Sequence, residues 1–265
     1  MDKLVTFLRY SKDFLKFGEY RYIFSSIKYL LLKRTTSRTQ IYRSSLGTFL
    51  VRKGTLDFQF ANYAYEWGVK KFVEANYGNY NVFFDIGSNI GTYAIMLAKR
   101  GLRTFAFEPV KDNYDAIRVN LILNKLEDKV KVYPVALGSS RYKTQFAFDL
   151  TNTGASHKAD IENDDGYKPL KEEIVESQVL PLDDLLDEFN LKKEDKIFMK
   201  IDVEGMEANV LNGAKRFLQT FPHILIVMES VHSGKDKLVE VLNQIADFEI
   251  LEVDDLNMGA RKIIK

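Results

Sequence analysis

From residue 80 onward, short continuously apolar runs alternate with longer amphipathic ones. "NVFFDIG" (81–87) reads as a strand and 90–100 as a helix. "RTFAFEP" (103–109) is a strand stopped by Pro109, and 111–124 is a helix. "KVKVYPVALG" (129–138), "KTQFAFD" (143–149) and "ESQVLPL" (176–182) have strand patterns, and "DDLLDEFN" is a short helix. "KIFMKIDVEG" (196–205) is a strand before a helix over 206–220. "HILIVMES" (223–230) is a strand before a helix over 235–246, and "FEILEVD" (248–254) and "ARKIIK" (260–265) close the chain. Apolar strands alternating with helices predict an α/β fold: a doubly wound, mostly parallel sheet covered on both faces. The last two strands are separated only by a turn around Asn257–Gly259, so they should form an antiparallel hairpin.

Two stretches depart from this rhythm. Residues 151–175 are polar and rich in turn formers, a long excursion of the kind that carries function. The first 50 residues mix apolar and basic positions and predict an amphipathic helical arm, with helices over 2–16 and 19–33, ahead of a domain spanning 51–265. The arm has no apolar run of spanning length and lacks the order of a secretory signal. Its basic end (Lys33, Arg34, Arg38) suits either packing on the domain or peripheral contact with an anionic membrane.

Composition changes the picture at three points. The chain has 265 residues and a formal net charge of +1, so no whole-molecule field recruits nucleic acid. Cysteine is absent, which excludes disulfides, thiolate metal sites and a cysteine nucleophile, and fits a reducing, cytoplasmic setting. The aromatic content, 19 Phe and 14 Tyr, suits strands and sugar-stacking surfaces alike.

Ligands of a doubly wound sheet bind beyond the carboxyl ends of its strands. Here those ends carry Asp85, Gly87, Asn89 and Gly91 after the first strand and Glu108 after the second. Ala136 follows the third, Asp202 and Glu204 the fourth, and Glu229 and His232 the fifth. The turn "DIGSNIGT" has neither the dinucleotide glycine spacing nor that of a P-loop, and its acidic surroundings repel phosphate. A cationic nucleoside without phosphate suits it better, and S-adenosylmethionine is such a molecule. Glu108, about 20 residues past the glycine turn, is where an acid receives ribose hydroxyls.

"FFDIGSNIGTYAIMLAKRG", "AFEP", "VALG", "NTGASH", "LDDLL", "KIDVEGMEANVLNGA" and "ILIVMES" occur in an order that resembles the FkbM-type S-adenosylmethionine-dependent methyltransferases, over about residues 57–230. The resemblance implies a class I, Rossmann-like methyltransferase fold. It also implies methylation of a hydroxyl, on a sugar or glycan of a cell-surface polysaccharide or natural product. Carried over, it places Asp85, Gly87, Ser88, Asn89, Gly91, Glu108, Ala136 and Asp202 at the cofactor, and Asp202 and Glu204 beside the methyl group and acceptor. Two small departures are Ser88, where alanine is common, and Met206, where an aromatic residue is common.

An alcohol needs a base as the new bond forms. Asp202, Glu204 and His232 are the candidates. Ser156, His157 and Glu229 are candidates for holding the acceptor, with Thr153 nearby. No metal is expected, although Asp202, Glu204 and Glu229 are the oxygen ligands Mg²⁺ would use; Glu204 alternatively caps the following helix. Tyr63, Tyr65 and Trp67 read as core or as a sugar-stacking wall, and Asp57 and Glu66 have no assigned part. Competing readings are a non-catalytic methyltransferase-like scaffold and a nicotinamide oxidoreductase. An RNA methyltransferase lacks a basic stripe in the core. The acceptor and the oligomeric state are not legible.

Overall fold

The computed structural model describes residues 8, 11–12, 14–32, 35–155, 157–158 and 171–264. Helix α1 (Arg21–Leu32) and the hairpin β1 (Gln40–Arg43)–β2 (Thr48–Val51) precede helices α2 (Asp57–Phe60) and α3 (Trp67–Asn76). The core begins with β3 (Val82–Ile86), α4 (Thr92–Ala98), β4 (Arg103–Phe107), α5 (Lys111–Asn124) and β5 (Val130–Tyr133). Then come β6 (Ala136–Leu137), β7 (Tyr142–Asp149), β8 (His157–Lys158) and β9 (Glu172–Leu180). A 3-10 helix (Leu182–Phe189) leads into β10 (Lys196–Ile201), α6 (Glu207–Asn212), α7 (Lys215–Thr220) and β11 (His223–Glu229). Helix α8 (Lys235–Ile245), β12 (Phe248–Glu252) and β13 (Asn257–Lys262) complete the chain.

The main sheet has seven strands in the order β12-β13-β11-β10-β3-β4-β5. Six run parallel, and β13 enters antiparallel between β11 and β12. Strand β3 is central because its five residues are apolar or buried on both faces. Successive side chains point to opposite faces, so Phe84 packs against Phe105, and edge-on against Phe189 and Phe217, on one side while Phe83 meets Phe198 on the other. The register sets Ile86 opposite both Ile201 and Phe107. The three central strands therefore end level, and the residues that follow, Gly87, Glu108 and Asp202, emerge side by side.

Three expectations need correction. The run 129–138 is two strands, because Pro134 has no amide hydrogen for the ladder; Ala136–Leu137 instead joins a second sheet, β6-β9-β7-β8. The helix expected over 206–220 is interrupted between α6 and α7, where the bare Gly213 approaches the Gly138 carbonyl; a Cβ there would lie 1.9 Å from that oxygen. The final turn falls at Asp254–Leu256, not Asn257–Gly259. Asp254 Oδ1 accepts the Leu256 and Asn257 N–H groups at 3.0 and 2.9 Å, so Asn257–Gly259 is already strand.

Helix α1 lies within the expected 19–33, whereas most of 2–16 falls outside the described residues. Phe14 and Tyr22 are buried with Val51, Leu56, Phe58 and Ala64. The arm thus packs on the segment that leads into the core, and residue 50 lies inside β2. Among the described residues no helix is long and apolar enough to cross a membrane.

Candidate active site

The turn after β3 is built by close contact between strand ends. Gly87 has φ +81°, and a Cβ on it would lie 1.8 Å from the Asp202 carbonyl oxygen. The Asp202 N–H in turn donates to the Ile86 carbonyl at 3.0 Å. Ser88 Oγ–H donates to the Asp85 carbonyl (2.7 Å), and Oγ accepts the Phe107 N–H (3.1 Å), lashing β3 to β4. Gly91, at φ +84°, opens α4. Asp85 Oδ2 accepts the Ala94 N–H at 2.9 Å, while its Oδ1 is buried without a hydrogen-bond partner. Burial pushes this carboxyl up to about 7, against the opposing charge of Lys200 and the Ala94 N–H. Asp85 and Ser88 therefore hold the turn from beneath. Asp85 lines neither cleft described below, whereas Ser88 lines the second, with its hydroxyl engaged by backbone.

A cleft of about 540 Å³ opens beyond these ends. Its apolar walls include Phe107, Val135, Leu137, Phe146 and Met206, with Ala136 at its edge, and its polar groups include Asn89, Glu108, Asp202 and Glu204. Glu108 is 5% exposed and accepts the N–H groups of Asn89 and Val110, each at 2.9 Å. Burial raises it to about 7 against those two hydrogen bonds. Among the described lining residues there is no Lys or Arg. A nucleoside with hydroxyls and a positive charge fits this donor set, and a pyrophosphate does not.

A second recess of about 580 Å³ adjoins the first through Gly87, Asn89, Gly154, Asp202 and Glu204. Its other walls include Tyr65, Glu66 and Lys70 from the segment before the core, Ser88, Tyr93 and Lys200, and Glu229 at the end of β11. Asp202 Oδ2 accepts a hydrogen bond from Lys200 Nζ at 2.6 Å. Tyr93 donates its hydroxyl proton to Glu66 at 2.8 Å, and Glu66 itself sits at φ +51°. Strained backbone of this kind is concentrated at binding sites.

At the acidic end of the recess, His232 Nε2 lies 3.3 Å from Glu204 Oε2 and 4.0 Å from Glu229 Oε2. Burial raises both carboxyls, with charge from Asp202 pushing the same way. The ligand atoms of Glu204, Glu229 and His232 all lie within 4.8 Å of one another, so this trio, not one with Asp202, is what could hold a cation. The cap expected of Glu204 is not formed: the N-cap of α6 is Met206, with no side-chain cap hydrogen bond. Glu207 Oε1 accepts the Val203 and Gly205 N–H groups at 3.1 and 3.2 Å, freeing Glu204, at φ +50°, to face the cleft.

The excursion is anchored by a residue that had no assigned part. Asp57 is fully buried and takes Arg52 in a two-pronged pair at 2.7 and 2.9 Å. Its Oδ1 lies 3.1 Å from the Thr153 hydroxyl, which is 3.3 Å from Asn89 Oδ1. Ser156 lies outside the described residues. For His157 only the backbone is described, paired with Ala147. Tyr63 and Trp67 pack on Phe17 away from the clefts, and Tyr65 alone of the three aromatics faces the recess. Lys70 was missed altogether. Its only signal was a lysine between Val69 and Val73 on the buried face of a short helix.

Six parallel strands with one antiparallel strand inserted, an acid at the second strand end and a glycine turn at the first make the fold of the class I methyltransferases, whose cofactor is S-adenosylmethionine. The chain belongs to the FkbM methyltransferase family: residues 85–256 match the Methyltransferase FkbM domain. It is 29% identical over 161 residues to the hexuronic acid methyltransferase AglP of Haloferax volcanii, covering 59% of this chain and 58% of that relative. It thus spans less than two thirds of the relative's length. The methyltransferase FkbM from Methylobacillus flagellatus KT aligns at TM-score 0.46 and 17% identity, over 70% of this chain and 44% of that one. A S-adenosylmethionine-dependent methyltransferase from Aquifex aeolicus aligns at 0.41 and 12%, over 74% and 89%.

Proposed function

We propose that the protein transfers a methyl group from S-adenosylmethionine to a hydroxyl of a sugar or glycan. The observation that carries this reading is the cleft itself: three carboxylates, apolar walls and no basic side chain among its described lining residues. Glu108 would receive the ribose hydroxyls, the apolar walls the adenine, and Asp202 and Glu204 the positive end. When bound, the cofactor supplies a methyl carbon made electrophilic by the sulfonium. The chain's own contribution is to orient the acceptor and accept its proton. His232 suits the second task, held by Glu204, because the Asp202 carboxylate is already engaged with Lys200. The sugar acceptor draws support from the relative's activity on hexuronic acid.

The test is unfolding with S-adenosylhomocysteine or NAD, then transfer of labelled methyl to sugar acceptors. Ligand at 100 times its dissociation constant adds about 2.7 kcal/mol, roughly 5–10 °C for a chain of this size. A shift with S-adenosylhomocysteine alone is expected. A shift with NAD alone overturns the reading.

The same cleft makes binding depend on pH. Only the ionised Glu108 accepts from both ribose hydroxyls, and its carboxyl is raised to about 7. Affinity for S-adenosylhomocysteine should therefore rise about tenfold from pH 6 to pH 8, and Glu108→Gln should flatten the profile. The unliganded fold responds in the opposite sense. Asp85 and Glu108, raised from 3.8 and 4.5 to about 7, contribute stability that is fully present below their unfolded values and lost as pH rises through 7. Isothermal titration across pH 6–8 checks the first statement and thermal melts the second.

A further inference from the structure

Lys70 stands apart from the other charged groups around the recess. Lys200 has Asp202, and Glu66 has the Tyr93 hydroxyl. Lys70, fully buried in the first turn of α3, donates to the Tyr65 carbonyl and lies 5.6 and 5.0 Å from the ring centres of Tyr65 and Tyr93. Among the described residues no carboxylate comes within ion-pair distance of it. One carbonyl and two ring faces orient an ammonium without neutralising it. A buried charge without a counter-ion is costly and is retained where a ligand supplies one. We propose that the recess is a carboxylate site and that Lys70 is its anchoring cation.

Burial, outweighing the nearby charge of Glu66, lowers the Lys70 ammonium to about 8, so an incoming carboxylate restores the charge that burial disfavours. The recess is continuous with the cofactor cleft, so the carboxylate belongs either to the amino-acid end of the cofactor or to an acidic sugar acceptor. The proposal rests on the reading of that cleft as the S-adenosylmethionine site.

Isothermal titration separates the cases with defined probes. S-adenosylhomocysteine is compared with 5′-methylthioadenosine, the same nucleoside without the amino-acid end, and D-glucuronate with D-glucuronamide in the presence of 5′-methylthioadenosine. Lys70→Met should bind 5′-methylthioadenosine as the wild type does, which also shows that it folds. It should lose about 30-fold or more, the usual effect of truncating a buried charge partner, on one carboxylate ligand. Loss on S-adenosylhomocysteine assigns the cofactor's carboxylate, and loss on glucuronate assigns the acceptor's. Should the variant not fold, the wild type decides: S-adenosylhomocysteine carboxamide or glucuronamide must bind correspondingly more weakly than its acid. Equal affinities of acid and amide, or of variant and wild type for both acids, overturn the carboxylate site. Failure of the wild type to bind either nucleoside overturns the methyltransferase reading instead.

Discussion

Replacing His232 by alanine should lower kcat for methyl transfer by about 10²–10⁴-fold, the range general-base catalysis contributes, while leaving affinity for S-adenosylhomocysteine unchanged. Three carboxylates crowd the meeting point of cleft and recess, yet each is poorly suited to take a proton at neutral pH. Asp202 is held by Lys200 at 2.6 Å. Glu204 and Glu229 are raised by burial, which favours their protonated forms. An imidazole 3.3 Å from Glu204 has the intrinsic basicity for the task, and the Glu204 side chain can hold its ring in place. Glu204→Gln should therefore weaken catalysis less than loss of the ring. Chelation supplies the contrary outcome. If EDTA abolishes wild-type turnover and Mg²⁺ restores it, the trio Glu204, Glu229 and His232 holds a cation and His232 is a ligand, not the base. If His232→Ala turns over at the wild-type rate, neither role survives.

The strands of the core were legible because burial on both faces writes them as unbroken apolar runs, as in "VFFDI" and "ILIVM". The glycine turn was legible as well, since positions pressed against backbone leave no room for a side chain. What the pattern could not carry was the assignment of polar atoms. Asp85 and Ser88 look like ligands in sequence, but Asp85 Oδ2 and the Ser88 hydroxyl are used in joining β3, β4 and α4. Glu204 and Glu207 both follow the fourth strand, and only the left-handed backbone at Glu204 and Gly205 turns the first to the cleft and leaves the second to hold the N–H groups of the turn. The segment 57–70 was hardest to read. Asp57 and Glu66 reach the site across long sequence separations, through contacts to Thr153 and Tyr93, and Lys70 turns back onto the Tyr65 carbonyl, and no local period encodes any of the three. Its aromatic residues were ambiguous for the same reason: Tyr63 and Trp67 pack on Phe17, while Tyr65, between them in sequence, faces the recess.

Gly87→Ala should abolish S-adenosylhomocysteine binding and destabilise the fold by more than about 4 kcal/mol, the range reached when a buried backbone contact must give way. Two costs combine at this position. The first is conformational: at φ +81° an alanine pays about 1–2 kcal/mol for the left-handed region. The second is steric and larger, because the new Cβ would lie 1.8 Å from the Asp202 carbonyl oxygen and 2.9 Å from its carbon. Neither atom is the end of a flexible side chain. Relief requires β3 and β10 to part at their ends, which breaks the bond from the Asp202 N–H to the Ile86 carbonyl and moves Asp202 and Glu204 away from the cleft. Gly101 isolates the first cost, since its φ is +95° and nothing lies within 4 Å of its would-be Cβ. Gly101→Ala should lower stability by only about 1–2 kcal/mol and bind S-adenosylhomocysteine as the wild type does. Thermal melts of both variants, with titrations at low temperature where each remains folded, measure the difference. Equal losses of stability and intact binding in Gly87→Ala would mean that the strand ends move apart freely, and that the level ending of β3 and β10 does not set the site.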